Sequence, residues 1–152
     1  MKKINIKMFG KNSVSTLLYW ISWVFLIFWT GFYLDAILSI SGYILQNNLA
    51  TTILTLAAKF VFFYLLILIF KEFKSNKMFT TKIIRYLNIF AVINLCMPLI
   101  VGVFYLIIYE EIFLKRSFEE GYPYLIIAIF SFFLAAIFKQ GFQIQQENDL
   151  TI

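Results

Sequence analysis

The chain has 152 residues, of which 62% are hydrophobic, 20% aromatic and only 14% charged. Soluble domains carry about 25% charged residues, and nineteen Phe side chains would leave sticky apolar surface in water, so a soluble globular domain is excluded. The formal charge of +5 gathers at the ends of apolar runs, where anionic headgroups and insertion bias account for it. No direct nucleic-acid binding is expected.

The N-terminal stretch MKKINIKMFGK holds four lysines and no acid. An uncharged run of 21 residues follows, over 14–34, and about 20 helical residues cross a bilayer core. A signal peptide would have an apolar core of about 7–15 residues and a small-residue cleavage site. The run is therefore read as a retained span. Tyr19, Trp20 and Trp23 lie toward one end and Trp29 and Tyr33 toward the other, as interfacial aromatic belts are placed. The next segment, 35–48, has no Lys or Arg and is expected to lie along the outer interface or to extend its flanking helices.

The second span is expected over about 50–70. Lys59 falls near its centre, where a lone lysine costs roughly 2.5–3.5 kcal/mol on insertion scales. Thr55 and Thr52, at i−4 and i−7, form a polar stripe from Lys59 toward the outer face. Two readings compete: a snorkelling or ion-paired lysine that orients the helices, or a substrate or ion site. The half-span distance to the surface favours the first. The acids that topology would offer Lys59 are Asp35, ending span one, and Glu110 and Glu111, ending span three.

The loop 71–86 contains the stretch KEFKSNKMFTTKIIR, with five of the thirteen basic residues and one acid. Thr80 is a candidate N-cap for the helix after it. The third span is expected over about 87–109. In it Asn94, Pro98 and Gly102 recur at four-residue spacing with Ala91 near the same stripe, a face suited to close helix contact in lipid. Pro98 removes one helical hydrogen bond and predicts a kink there. The outer connection EEIFLKRSFEEGYP leads to a fourth span at about 122–138, with Tyr122–Pro123 expected to open it and Ala128, Ser131 and Ala135 giving it a small-residue face. The polar tail 139–152 is expected to extend this helix into the cytoplasm before ending at Asp149-Leu150-Thr151-Ile152.

Ten basic residues fall on one side of this layout and two, Lys115 and Arg116, on the other. By the positive-inside rule both termini and the 71–86 loop are cytoplasmic. The expected fold is an all-α, integral-membrane four-helix bundle made of two helical hairpins. The absence of histidine excludes a His-based metal site or general base, and Cys96 has no partner for a disulfide. A Ser/Lys pair of Lys59 with Ser22 or Ser131 has no specificity. No enzyme activity and no cofactor are expected.

Two segments carry a family likeness. KMFTTKIIRYL and the ending FKQGFQIQQENDLTI resemble the bacterial membrane family DUF 2975. The matching positions are Phe79, Thr80, Arg85 and Leu87, then Gly141, Glu147, Asn148, Asp149, Leu150 and Thr151. Met78 and Thr81–Lys82 depart from its usual Pro and acids. The resemblance implies a small multi-pass protein of the bacterial inner membrane. It also implies a cytosolic partner, since members are often encoded beside a helix-turn-helix transcriptional regulator. The expected function is accordingly regulatory: the cytoplasmic loop and tail present a surface to a soluble protein. The alternative is a small oligomeric transporter or channel using Lys59 and the Asn94/Pro98 kink.

Reporter fusions after Leu45, Asn76, Ser117 and Ile152 are expected to read out, in, out and in. A periplasmic signal from the Asn76 fusion would reverse the topology.

Overall fold

The computed structural model describes residues 8–11, 13–39, 45–75, 79–109 and 113–149. Among them the regular elements are four α-helices: α1 (Val14–Ser39), α2 (Leu45–Phe73), α3 (Thr81–Tyr109) and α4 (Phe113–Asp149). Helix is the conformation that satisfies every backbone N–H and C=O within one segment, as hydrocarbon requires. All four are long and apolar enough to cross a bilayer. The chain divides into two compact units, Met1–Met78 and Phe79–Ile152, and each is a hairpin: α1 packs on α2, and α3 on α4.

In the first hairpin the chain before α1 is tied to the last residue of α2. The Gly10 N–H donates to the Phe73 carbonyl at 3.1 Å, and the Ser15 hydroxyl donates to the same oxygen at 3.2 Å. That carbonyl is one of those a helix end leaves without an intrahelical donor. Gly10 reaches it with a positive φ of 95°, a conformation a Cβ penalises. The Ser13 hydroxyl donates back to the Gly10 carbonyl at 2.6 Å, and Phe9 sets its ring edge-on to Phe73 with centroids 5.3 Å apart. Lys74 then places its Nζ 4.3 Å from the centroid of Tyr19. Lys11, Lys71 and Lys74 thus share one end of this hairpin. Further along, the helices meet through aromatic rings, with Phe25 stacked on Phe63 at 5.8 Å. Only 11% of the α1 span is buried, so most of its apolar surface is left for lipid.

The second hairpin is closer packed, with 33% of the α3 span buried. Its contact surface is a run of small residues: Ala91 and Gly102 on α3 and Gly121, Ala128, Ser131 and Ala135 on α4 are all buried. Ala91 and Ala128 are fully so, at 0% exposure. Small side chains let two backbones approach, and in lipid that approach supplies the packing energy. Gly121 is one such close approach: an added Cβ would lie 2.6 Å from the Pro98 Cβ and 2.9 Å from its Cα. At the other end Phe79 rests on Phe138, centroids 5.4 Å apart, and against Gly141, where an added Cβ would come within 2.5 Å of the ring. Thr80 caps α3, its Oγ1 accepting from the Ile83 N–H at 3.3 Å.

The helices run further than the apolar segments that announce them. The expected 71–86 loop is helical at both ends, since α2 continues through Lys71 and Glu72 to Phe73 and α3 begins at Thr81. Lys and Glu are good helix formers, and nothing before Lys74 breaks the hydrogen-bond pattern. Asp35 and its neighbours to Ser39 extend α1, and Leu45–Asn48 belong to α2. Pro123 lies inside α4, which starts ten residues earlier at Phe113. The cost of this is the loss of the Pro123 bond to the carbonyl four residues back. Pro98 likewise lies inside an α3 assigned as unbroken helix.

Gly121→Ala puts a methyl group onto Pro98 backbone, so the seam must part. Thermal unfolding in detergent should show a loss of about 1–3 kcal/mol, the usual range for overpacking. Gly31, with nothing within 4 Å of an added Cβ, is the control: Gly31→Ala should be neutral or gain stability through helix propensity. Equal stability for Gly121→Ala and the wild type would refute the close approach.

Candidate functional site

Three groups of residues carry the chemistry the sequence offers, and each is set by a different element. Lys59 projects from α2 and is partly buried. Its Nζ stands 6.0 Å from the centroid of the Trp29 ring on α1, the outer limit of a cation–π contact. Trp29 is itself stacked on Tyr33 at 5.7 Å, so the ammonium sits beside an aromatic pair. α2 begins at Leu45, and Lys59 lies fourteen residues, about 21 Å, along it. Asp35 is exposed near the end of α1. Glu110, Glu111 and the Thr52 side chain lie outside the described residues.

Asn94, Pro98 and Gly102 are all buried in the α3–α4 hairpin. Asn94 is 2% exposed, and its Nδ2 donates to the Phe90 carbonyl, one turn back, at 2.7 Å. The hydroxyls of Ser131 and Ser22 do the same with the carbonyls of Ile127 at 2.7 Å and Leu18 at 2.8 Å. A hydroxyl committed to its own helix is not held toward a base. Ser22 also lies seven residues from Trp29 on α1, about 10 Å from the ring that Lys59 faces. The α3–α4 seam is a packed contact in which Asn94 and Ser131 each bond to the backbone of their own helix.

The family-like residues separate into two sets. Phe79 and Gly141, 62 positions apart in sequence, meet in one contact, with Thr80 capping the helix beside it. Arg85 is exposed on α3 while Leu87 is buried. Glu147, Asn148 and Asp149 are exposed on the last turns of α4; Leu150 and Thr151 lie outside the described residues. Gly141 is therefore a packing position, and the acidic turn is open to solvent. Between Phe79 and that turn lies a groove of about 350 Å³ lined by Thr81, Ile84, Lys139, Phe142, Gln143 and Gln146. Sequence reasoning missed this groove and the clasp made by Gly10, Ser13 and Ser15. Only the Gly10–x–x–Ser13 spacing before an apolar run hints at the clasp.

By length and composition these are the helices of a multi-pass membrane protein. No family model matches the chain, and neither a curated protein nor a solved structure matches it.

A double-mutant cycle tests the Lys59 environment. Lys59→Met should be tolerated or stabilising, because it removes the desolvation cost of a charge in the span. Coupling between Lys59→Met and Trp29→Leu, read from thermal unfolding, should be about 0.5–1 kcal/mol. Additivity for that pair, with strong coupling of Lys59 to Asp35 instead, would assign the lysine to the acid.

Proposed function

We propose that the protein is a regulatory component of a bacterial inner membrane, with both termini in the cytoplasm, that presents the end of α4 to a soluble protein. The observation that carries this reading is the continuation of α4 beyond its apolar run. The helix runs eleven residues past Phe138 to Asp149, about 16 Å, and Gln143–Asp149 are exposed throughout. Neither bilayer crossing nor packing on α3 calls for this length of polar helix. The likeness of this ending to the DUF 2975 tail, and the helix-turn-helix regulators encoded beside such proteins, supports a transcription factor as the partner. The excess of basic residues at the paired ends of each hairpin supports the orientation.

The transporter reading draws no support from the kink residues. Asn94 is bonded to its own helix and Pro98 is pressed by Gly121, so within this hairpin neither lines a water-filled path.

Deleting Glu147–Ile152 should leave insertion and abundance intact while abolishing crosslinks to a cytosolic protein. Loss of the truncated chain from the membrane would make the tail structural and remove the proposal's main support.

A further inference from the structure

The groove at the Phe79 end of the second hairpin has a definite position relative to the bilayer. Phe138 is the last residue of the uncharged run on α4, and Lys139 follows it. On α3 the last charge before the uncharged run is Arg85. The ring contact of Phe79 with Phe138 brings the start of α3 to this level of α4, where the charge of Lys139 ends the apolar run; Arg85 lies six residues, about 9 Å, further along α3. Thr81 and Arg85, four residues apart, lie on one face of α3, and Thr81 and Lys139 both line the groove. From Lys139 to Gln146 the groove extends about 10 Å along α4. The headgroup layer on each side of a bilayer is about 5–8 Å thick. The groove therefore spans that layer.

Its lining matches the layer too. Ile84 and Phe142 are apolar, Thr81, Gln143 and Gln146 offer hydrogen bonds, and Lys139 is the one charge among the lining residues. The nearest described acids on α4, Glu147 and Asp149, begin about 12 Å from Lys139, on the far side of Gln146.

We propose that this groove binds the headgroup of an anionic phospholipid. The phosphate lies against Lys139, the headgroup hydroxyls meet Gln143 and Gln146, and the glycerol end rests on Ile84 and Phe142. The lipid joins the start of α3 to the end of α4 and steadies the helix from which the acidic turn projects. This does not depend on the protein having a soluble partner.

The test uses the full chain in nanodiscs of phosphatidylcholine, with and without phosphatidylglycerol. Retained lipid is counted by native mass spectrometry and stability is read from thermal unfolding. Phosphatidylglycerol should be retained in preference and should raise the unfolding temperature. Lys139→Gln should weaken that retention about fivefold, the effect of one basic residue near an anionic surface. Gln143→Glu, which places an acid in the groove at an exposed position, should weaken it further. Lys71→Gln removes the same charge at the end of α2 and should leave retention unchanged. Equal losses for Lys71→Gln and Lys139→Gln would show diffuse leaflet attraction and overturn the site. Indifference to phosphatidylglycerol, with binding of a soluble poly-glutamate peptide lost in Lys139→Gln, would overturn it in favour of an acidic protein segment.

Discussion

Every backbone amide in hydrocarbon must find its partner within the protein, because no water is there to supply one. That constraint makes the four apolar runs helical, and it moves the remaining structural difficulty to the helix ends. The carbonyl of Phe73 is met by Gly10 and Ser15, and the amide of Ile83 by Thr80. These caps fall at the end of α2 and at the start of α3, and five of the thirteen basic residues lie between Lys71 and Arg85. Interior polar groups obey the same rule: Ser22, Thr30, Asn94 and Ser131 each donate to the carbonyl four residues earlier in their own helix.

With backbone bonding settled inside each helix, association rests on packing, and the two hairpins solve it with different side chains. The first uses aromatic stacks and a clasp at one end, leaving α1 largely exposed. The second buries the small residues of α4 from Gly121 to Ala135 together with Ile83, Leu87, Phe90, Ala91 and Asn94 of α3. Dispersion falls steeply with separation, so the second arrangement gains more from each turn of contact. A protein that positions a polar helix extension benefits from having the firmer hairpin beneath it.

The spans were legible in the sequence because long uncharged runs are a strong signal and need no tertiary information. The stripe of Asn94, Pro98 and Gly102 was legible for a related reason: four-residue spacing defines a helix face whatever lies opposite. Helix ends were harder. Polarity marks where hydrocarbon stops, whereas a helix stops where its hydrogen bonding fails, and Lys71, Glu72 and residues 113–121 continue the pattern into polar surroundings. Contacts between distant positions were not legible at all. Gly121 reads as a loop glycine until α3 lies against it, and Gly141 as part of a tail motif until Phe79 fills its place. Nor did the sequence single out Trp29 as a neighbour of Lys59, although a ring face also stabilises an ammonium.

The central claim is that each hairpin holds itself together through contacts of its own. Expressing residues 1–78 and 79–152 as separate chains tests this most directly, with membrane insertion and helix content read for each. Both halves should insert as two-span proteins and keep their helicity in detergent, and the 79–152 half should unfold at the higher temperature. If 79–152 inserts or stays helical only when co-expressed with 1–78, the small-residue seam is not sufficient and the account fails.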